Sequence, residues 1–333
     1  MAREKITFRP GFPPVSIDVM QVSKMGCHWH DALEIVWVLS GEVALKESNL
    51  LLHLKPGDIY VVNYNETHKI SAQREPAVIV SARVDYRYFT KYIPNLNEIS
   101  FAHYCFSKNV DVEEALKNCH RFIAELYPLL RRETPGKEEN RKIESLVHSL
   151  LLLIIDTFQY IYYHKHEDRY RDAIDKSINL SQEQLKRLHR LTHYIYTNCH
   201  DKLTLDDVAG TEYYSKFHIS HFIKKAYGLS YQETLCLSRV AISERVLLET
   251  DYNMDRVAAV TGFSTRNQYC QQFKKWHGVT PSQFRKENGP GGPGGVDLLF
   301  DCDEARARAL LGLDPLPVVQ KTREAENSDQ RYR

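Results

Sequence analysis

Apolar positions in this chain are spaced in two different ways. From residue 15 to about 106 they come in short β-branched or aromatic runs: LEIVWVL, EVALK, LLLHL, IYVVN and AVIVSAR. Turn signals divide them, at Ser40-Gly41, Ser48-Asn49, Pro56-Gly57-Asp58, Asn63 to Glu66 and Glu75-Pro76. Many short strands at such spacing predict a sandwich or a small barrel. After residue 110 the spacing becomes helical. One stripe runs through Ala115, Leu116, Cys119, Phe122, Ile123 and Leu126. A second, after the break at TPGKEEN, runs through Ile143, Leu146, Val147, Leu150, Ile154 and Phe158. These stripes offer more apolar face than one small barrel needs, so a dimer interface is expected there. Residues 181–287 are again helical; GPGGPGG at 289–295 reads as a flexible linker, and the rest of the tail as unstructured apart from one possible helix, DEARARALLGL.

Residues 204–232 and 253–282 resemble each other at an offset of 49, which becomes 50 after one inserted residue. Val208-Ala209 matches Val257-Ala258, Ser215 matches Ser264, Ile223-Lys224-Lys225 matches Phe273-Lys274-Lys275, and Gly228-Leu229-Ser230 matches Gly278-Val279-Thr280. A duplicated unit of two short helices and a turn reads as helix-turn-helix twice. Thr204 with Asp207 makes a capping-box start, and Asn253 can cap the equivalent helix. The second helix of each unit carries polar side chains outward: Lys216, Ser220, His221 and Lys224 in one, Arg266, Asn267, Gln271 and Lys274 in the other. Such groups reach base edges and phosphates.

Charge adds little to this picture. The net charge of the 333-residue chain is +1, so no global field points to nucleic acid or membrane. Residues 181–287 hold fifteen Lys and Arg against eleven Asp and Glu, a modest local excess of the kind a DNA face needs. The seven cysteines are scattered without a CxxC, which argues against a disulfide framework or a zinc finger and suits a reducing cytosol. The N-terminus lacks the apolar core of a signal peptide, and the most apolar run, LLLLII at 150–155, is about a third of a membrane span. A cytoplasmic protein with no membrane partner is therefore expected. No Walker loop, kinase motif or nucleophile elbow is present.

VAAVTGFSTRNQYCQQFKKWHGVTPSQFR resembles the C-terminal signature of the AraC/XylS family of transcription regulators, and YSKFHISHFIKKAYGLS resembles that family's first helix-turn-helix. The resemblance covers about 100 residues. It implies two units held on a connecting helix at about 230–248 that enter successive major-groove turns on one DNA face, about 34 Å apart. Carried over by position, it assigns DNA contact to Phe217, Ser220, His221, Lys224, Arg266, Asn267, Gln271 and Lys274. Arg266 would read guanine and Asn267 or Gln271 adenine, with Lys224, Lys225, Lys274 and Lys275 candidates for phosphate. Three departures stand out: Tyr213 replaces the usual turn glycine, Cys270 a usual aromatic and Ser243 a usual alanine.

His28, His30 and Glu34 fall at even steps, and KPGDIYVVNYNETH later supplies His68. Over residues 20–85 this is similar to the two motifs of a cupin barrel, where such residues bind a metal; it is also how many AraC-type sensor domains look. The same four residues are candidates for lining a pocket for a sugar-like or other small polar effector, or for holding a divalent transition metal. Pocket lining without a metal or other cofactor is the preferred reading. The segment KITFRPGFPP is a candidate arm over the barrel mouth, with Arg9 reading the ligand.

The expected fold is α+β and multidomain: a cupin-like effector-binding domain over 1–108 with its barrel core at 15–106, a helical linker or dimerisation region over 109–180, an all-α double helix-turn-helix over 181–287, and a Gly/Pro-rich linker with unstructured tail over 288–333. The expected function is a sequence-specific regulator, an activator by resemblance, that is no enzyme. Its partners would be double-stranded promoter DNA, a small effector, RNA polymerase and a second copy of the chain. The competing class is a metal-dependent cupin enzyme fused to a DNA-binding domain.

Overall fold

A computed structural model of the chain describes residues 3–47, 50–99, 101, 111–158, 180–289 and 297–313. Its architecture is α+β and multidomain, with an antiparallel, nearly closed barrel first and helices after it. Eight strands build the sheet: β1 (Val15–His28), β2 (Leu33–Ser40), β3 (Val43–Glu47), β4 (Leu50–Leu54), β5 (Ile59–Val62), β6 (His68–Ala72), β7 (Ala77–Val84) and β8 (Leu298–Asp301). The order is β4-β3-β6-β1-β7-β2-β5, with β8 paired to β1.

Strand alternation sorts each run to two faces. In β2, Leu33, Ile35 and Trp37 point to the outer face, while Val36 and Val38 join Met20, Tyr60, Ile70 and Ile79 inside the barrel. Both faces are covered, which is why Ile35 to Val38 is an unbroken apolar run. The outer cover is a helical hairpin, α2 (Asp111–Leu130) and α3 (Lys137–Phe158), which follows a short α1 (Tyr86–Phe89). Cys119, Ile123 and Leu126 of α2 and Ile143, Val147, Leu150, Ile154 and Phe158 of α3 share one core with Ile35, Trp37 and Val80. The two stripes expected to form a dimer interface are thus spent on the chain's own barrel. Residues 159–179 of the expected linker lie outside the described residues.

Two boundaries need correction. Among the described residues, the first seven barrel strands end at Val84 rather than near 106. The expected linker and unstructured tail over 288–333 instead contains β8 and a helix, α11 (Glu304–Leu310), which return to the barrel. Met20, Gln21, Val22 and Lys24 of β1 pair with Asp301, Phe300, Leu299 and Leu298, so the tail covers a stretch of β1 edge. Ala307 and Leu311 enter the core under α2, and Tyr127 donates to Glu304 at 2.6 Å. Sequence reading missed this because only four residues pair, behind a glycine-rich stretch. Leu311→Ala is expected to lower barrel stability by about 2–3 kcal/mol, measurable by denaturant unfolding; a side chain in an idle tail would cost nothing.

The C-terminal domain is all-helical: α4 (Gln182–Asn198), α5 (Leu205–Thr211), α6 (Lys216–Tyr227), α7 (Tyr231–Glu249), α8 (Met254–Val260), α9 (Arg266–His277) and α10 (Pro281–Asn288). Side-chain caps fix the starts. Ser181, Thr204, Ser230 and Thr280 close full capping boxes, and Asn253 caps α8 as expected. Each unit buries its own core, with Ile219, Phe222 and Ile223 in the first and Tyr269, Phe273 and Phe284 in the second.

Candidate functional sites: two recognition helices and a polar barrel end

The second helices of the two units, α6 and α9, are both twelve residues long. Ser215 caps one and Thr265 the other, and each ends on a left-handed glycine, Gly228 and Gly278. The inserted residue therefore lies in the turn, and Lys216, Phe217, His221 and Lys224 correspond to Arg266, Asn267, Gln271 and Lys274. All eight are exposed; of the carried-over positions only Ser220 is half-buried, like its counterpart Cys270. Phe217 is 79% exposed, far outside the usual range for a phenyl ring and suited to thymine methyls or sugar edges. One outward position was left out of the roles carried over from the resemblance. Lys216 is the counterpart of Arg266, and each is held by an aspartate of the preceding helix, Asp206 at 3.3 Å and Asp255 at 3.7 Å.

At one end of the barrel interior the apolar filling gives way to a polar cluster. β1 ends at His28 and β2 starts at Leu33, so His28, His30 and Glu34 do not lie on one uninterrupted strand, yet they converge. His28 sits opposite His68, and Glu34 opposite Arg83. The three imidazole rings have centroids 4.1 to 5.9 Å apart. Each ring places Nδ1 against a backbone carbonyl: Gly26 at 2.9 Å, Ala32 at 3.1 Å and Glu66 at 3.2 Å. Carbonyls only accept, so Nδ1 is the donor in each of these bonds; Nε2 of His30 and His68 faces the Glu34 carboxylate.

Glu34, 1% exposed, is already fully engaged. It meets His30 Nε2 at 3.0 Å, His68 Nε2 at 3.2 Å and Arg83 Nε at 3.4 Å, and accepts from Ser81. Burial would raise its pKa. The hydrogen bonds from His30 and His68 and the charge of Arg83 outweigh that and hold it well below the usual carboxylate range. Burial, followed by the neighbouring His68, keeps His28 well below the ordinary imidazole value. A ring nitrogen from each of His28, His30 and His68 lies within 4.8 Å of the others. The structure therefore brings all four sequence candidates together but gives Glu34 a different place, behind the imidazoles. Arg83 and Ser81 were missed, because only strand register shows that they face Glu34 and Val36.

Arg9 meets neither Glu34 nor the histidines, though it lines the cleft beside Glu4. Its guanidinium donates to the carbonyls of Leu130 and Glu133 at 2.7 and 3.0 Å, anchoring the arm to the end of α2. Trp37 is also outside, stacked on His120 at 4.2 Å.

The polar end abuts the helical domain. While His28 and His68 point inward, Cys27 packs among Cys236, Val240 and Leu247, and Thr67 donates to buried Glu244 on α7. Glu244 also meets His277 at 2.8 Å. Trp29 lies between Arg3 of the arm and Arg245 of α7, with ring-centroid distances of 4.9 and 5.1 Å. Burial and Glu244 push the Cys27 thiol up to about 12, so this residue packs and does not react.

Two helix-turn-helix units thus stand on one connecting helix, behind a cupin-like barrel, which is the arrangement expected from the resemblance to AraC-type regulators. Residues 208–287 match the helix-turn-helix domain family. The chain is 20% identical over 255 residues to an uncharacterized HTH-type transcriptional regulator of Staphylococcus aureus, covering 77% of this chain and 31% of that protein. It is 27% identical over 101 residues to regulatory protein PocR of Salmonella typhimurium, covering 30% of this chain and 33% of PocR. The chain thus spans about a third of the length of the curated relatives it matches. Among solved structures, ToxT from Vibrio cholerae aligns over 81% of this chain and 97% of its own, with a TM-score of 0.45 and 13% identity. Among the described residues no helix is long and apolar enough to cross a membrane.

Proposed function

We propose that the chain is a one-component transcription regulator, and no enzyme, in which a small effector bound at the polar barrel end controls how the two recognition helices engage promoter DNA. The observation that carries this reading is the matched, exposed pair of helices α6 and α9, each with a cation at its first residue and a lysine two turns on. The joint between the domains supports control by the barrel. Cys27, Trp29 and Thr67 alternate with His28 and His68, so a ligand that shifts the imidazoles shifts the seats of Glu244 and Arg245 on the connecting helix. Such a ligand must bind one arrangement of the joint better than another for anything to switch. Action as an activator that contacts RNA polymerase rests on the AraC-type resemblance, and a cytoplasmic location on the scattered cysteines and the N-terminal composition; the homodimer expected from the two apolar stripes needs another surface, since among the described residues those stripes pack on the barrel.

The test is selection of bound duplexes from a randomised pool, followed by affinity measurements on the selected site. Arg266→Ala is expected to cost about 1–3 kcal/mol on that site and far less on random DNA. Lys216→Ala should act in the same direction on the half-site of the first unit. Equal losses on both DNAs would remove base reading from Arg266.

A second reading, a divalent transition metal held by His28, His30 and His68, is favoured by the three Nδ1–carbonyl hydrogen bonds, the usual outer support of imidazole ligands. Such an ion would supply a Lewis-acidic anchor for effector oxygens. Zinc or nickel titration followed by calorimetry, with His30→Ala as control, tests it; stoichiometric uptake lost in the variant is the supporting result.

A further inference from the structure

Arg83 is 7% exposed, and a permanent cation so deep in a barrel needs anions on every side. Glu34 covers its Nε, but that carboxylate is shared with His30, His68 and Ser81. Asp18 stands off at 3.9 Å. The anion on the remaining side comes from outside the barrel. Glu4 of the N-terminal arm places Oε1 3.0 Å from Arg83 Nη1, and its other oxygen 3.5 Å from His28 Nε2. Glu4 is partly exposed, and the arm around it is held by the Arg3–Trp29 bridge and by its own amide on the Trp29 carbonyl at 2.9 Å.

Glu4 satisfies only half of what the site asks for. With Nδ1 donating to the Gly26 carbonyl, the other ring nitrogen of His28, Nε2, presents a lone pair and needs a donor. A carboxylate has none to give, and Nε2 stays buried without a hydrogen bond. The arrangement asks for a carboxylate on Arg83 and, beside it, a hydroxyl aimed at His28. A cleft of about 310 Å³ opens next to this point, lined by Glu4, Ser16, Asp18, Phe12 and Arg131, with room for the rest of a small molecule.

We propose that the barrel end is a binding site for a small hydroxycarboxylic acid, whose carboxylate replaces that of Glu4 on Arg83 and whose hydroxyl donates to His28 Nε2. This assignment rests on the reading of the barrel as the effector domain and names the effector's class. Exchange of one carboxylate for another keeps the local charge constant. It frees the arm from Arg83 beside Trp29, which is also the seat of Arg245 on the connecting helix.

The experiment uses the full chain treated with a chelator, with glycolate and acetate as probes at equal ionic strength and calorimetry or thermal shift as readout. Glu4→Ala removes the resident carboxylate and is expected to bind glycolate at least tenfold more tightly than the unaltered chain does, and about tenfold more tightly than it binds acetate. His28→Phe in the Glu4→Ala background should erase the preference for glycolate while acetate still binds. No binding of either acid to Glu4→Ala would overturn the carboxylate site. Equal binding of the two acids would overturn the hydroxyl assignment, and so would binding that appears only with added divalent metal. None of these results bears on DNA recognition, which the selected-duplex assay measures separately.

Discussion

Glu34→Ala is expected to lower the stability of the barrel by about 3 kcal/mol, the lower end of the range for breaking a buried charge network from one side. The carboxylate is the common partner of His30, His68, Ser81 and Arg83, and its loss leaves two imidazoles and a hydroxyl facing a void. The effect stays at the lower end because Glu4 and Asp18 still face Arg83. The pH dependence follows from the depressed pKa of Glu34. Its contribution is complete above the ordinary carboxyl value of 4.5 and is lost as pH falls through the lower value it has in the folded protein. The unaltered chain should therefore lose more stability below that pH than Glu34→Ala does. Hydrogen exchange along β1, β2 and β7 reads the barrel without interference from the helical domain. Unchanged protection in the variant at neutral pH would show that the carboxylate organises nothing.

The repeat in the C-terminal half was legible because helix caps, turn residues and an apolar period of 3.6 are local signals. Thr204 and Asn253 act in the structure as their positions suggested. The barrel was legible as strands but not as an assembly. That His28 meets His68, or that Glu34 meets Arg83, depends on a register between strands about forty and fifty residues apart, and single-strand alternation does not carry it. The same limit hid Glu4, which reaches the site only because the arm pairs with Trp29. It also hid β8, whose partner lies on β1 at the other end of the chain. The even spacing of His28, His30 and Glu34 led to the right cluster although β1 ends at His28; the turn at 29–32 delivers His30 to the same place that a continuous strand would.

Tyr213 and Gly262 occupy the same turn of the two units, and opposite substitutions there are expected to have opposite signs. Both residues are left-handed, at φ +57° and +84°. The turn in the first unit is therefore not distorted by the missing glycine; Tyr213 adopts the glycine conformation at a cost of about 1–2 kcal/mol. It can do so because its side chain is 96% exposed. Gly262 has no such room. A Cβ there would lie 2.5 Å from the Cys199 carbonyl and 2.9 Å from both the Arg239 Nε and the His200 carbonyl. That carbonyl of Cys199 already accepts from Arg239 at 2.7 Å, and the contact locks the second unit against the end of α4. Gly262→Ala adds overpacking of about 1–3 kcal/mol to left-handed strain of about 1–2 kcal/mol, for a combined loss of about 2–5 kcal/mol. Tyr213→Gly should gain up to about 1 kcal/mol, because the strain relieved exceeds the extra freedom of glycine in the unfolded chain. The functional consequences separate as well. Gly262→Ala should weaken the half-site read by Arg266, Asn267 and Gln271 and leave hydrogen exchange in the barrel unchanged. Tyr213→Gly should stiffen the first unit, and its affinity for DNA should fall only if the exposed tyrosine itself touches the duplex. Chemical denaturation of the two variants with duplex titrations in parallel distinguishes these effects; shifts in stability of opposite sign without the half-site difference would mean that the turns serve folding alone.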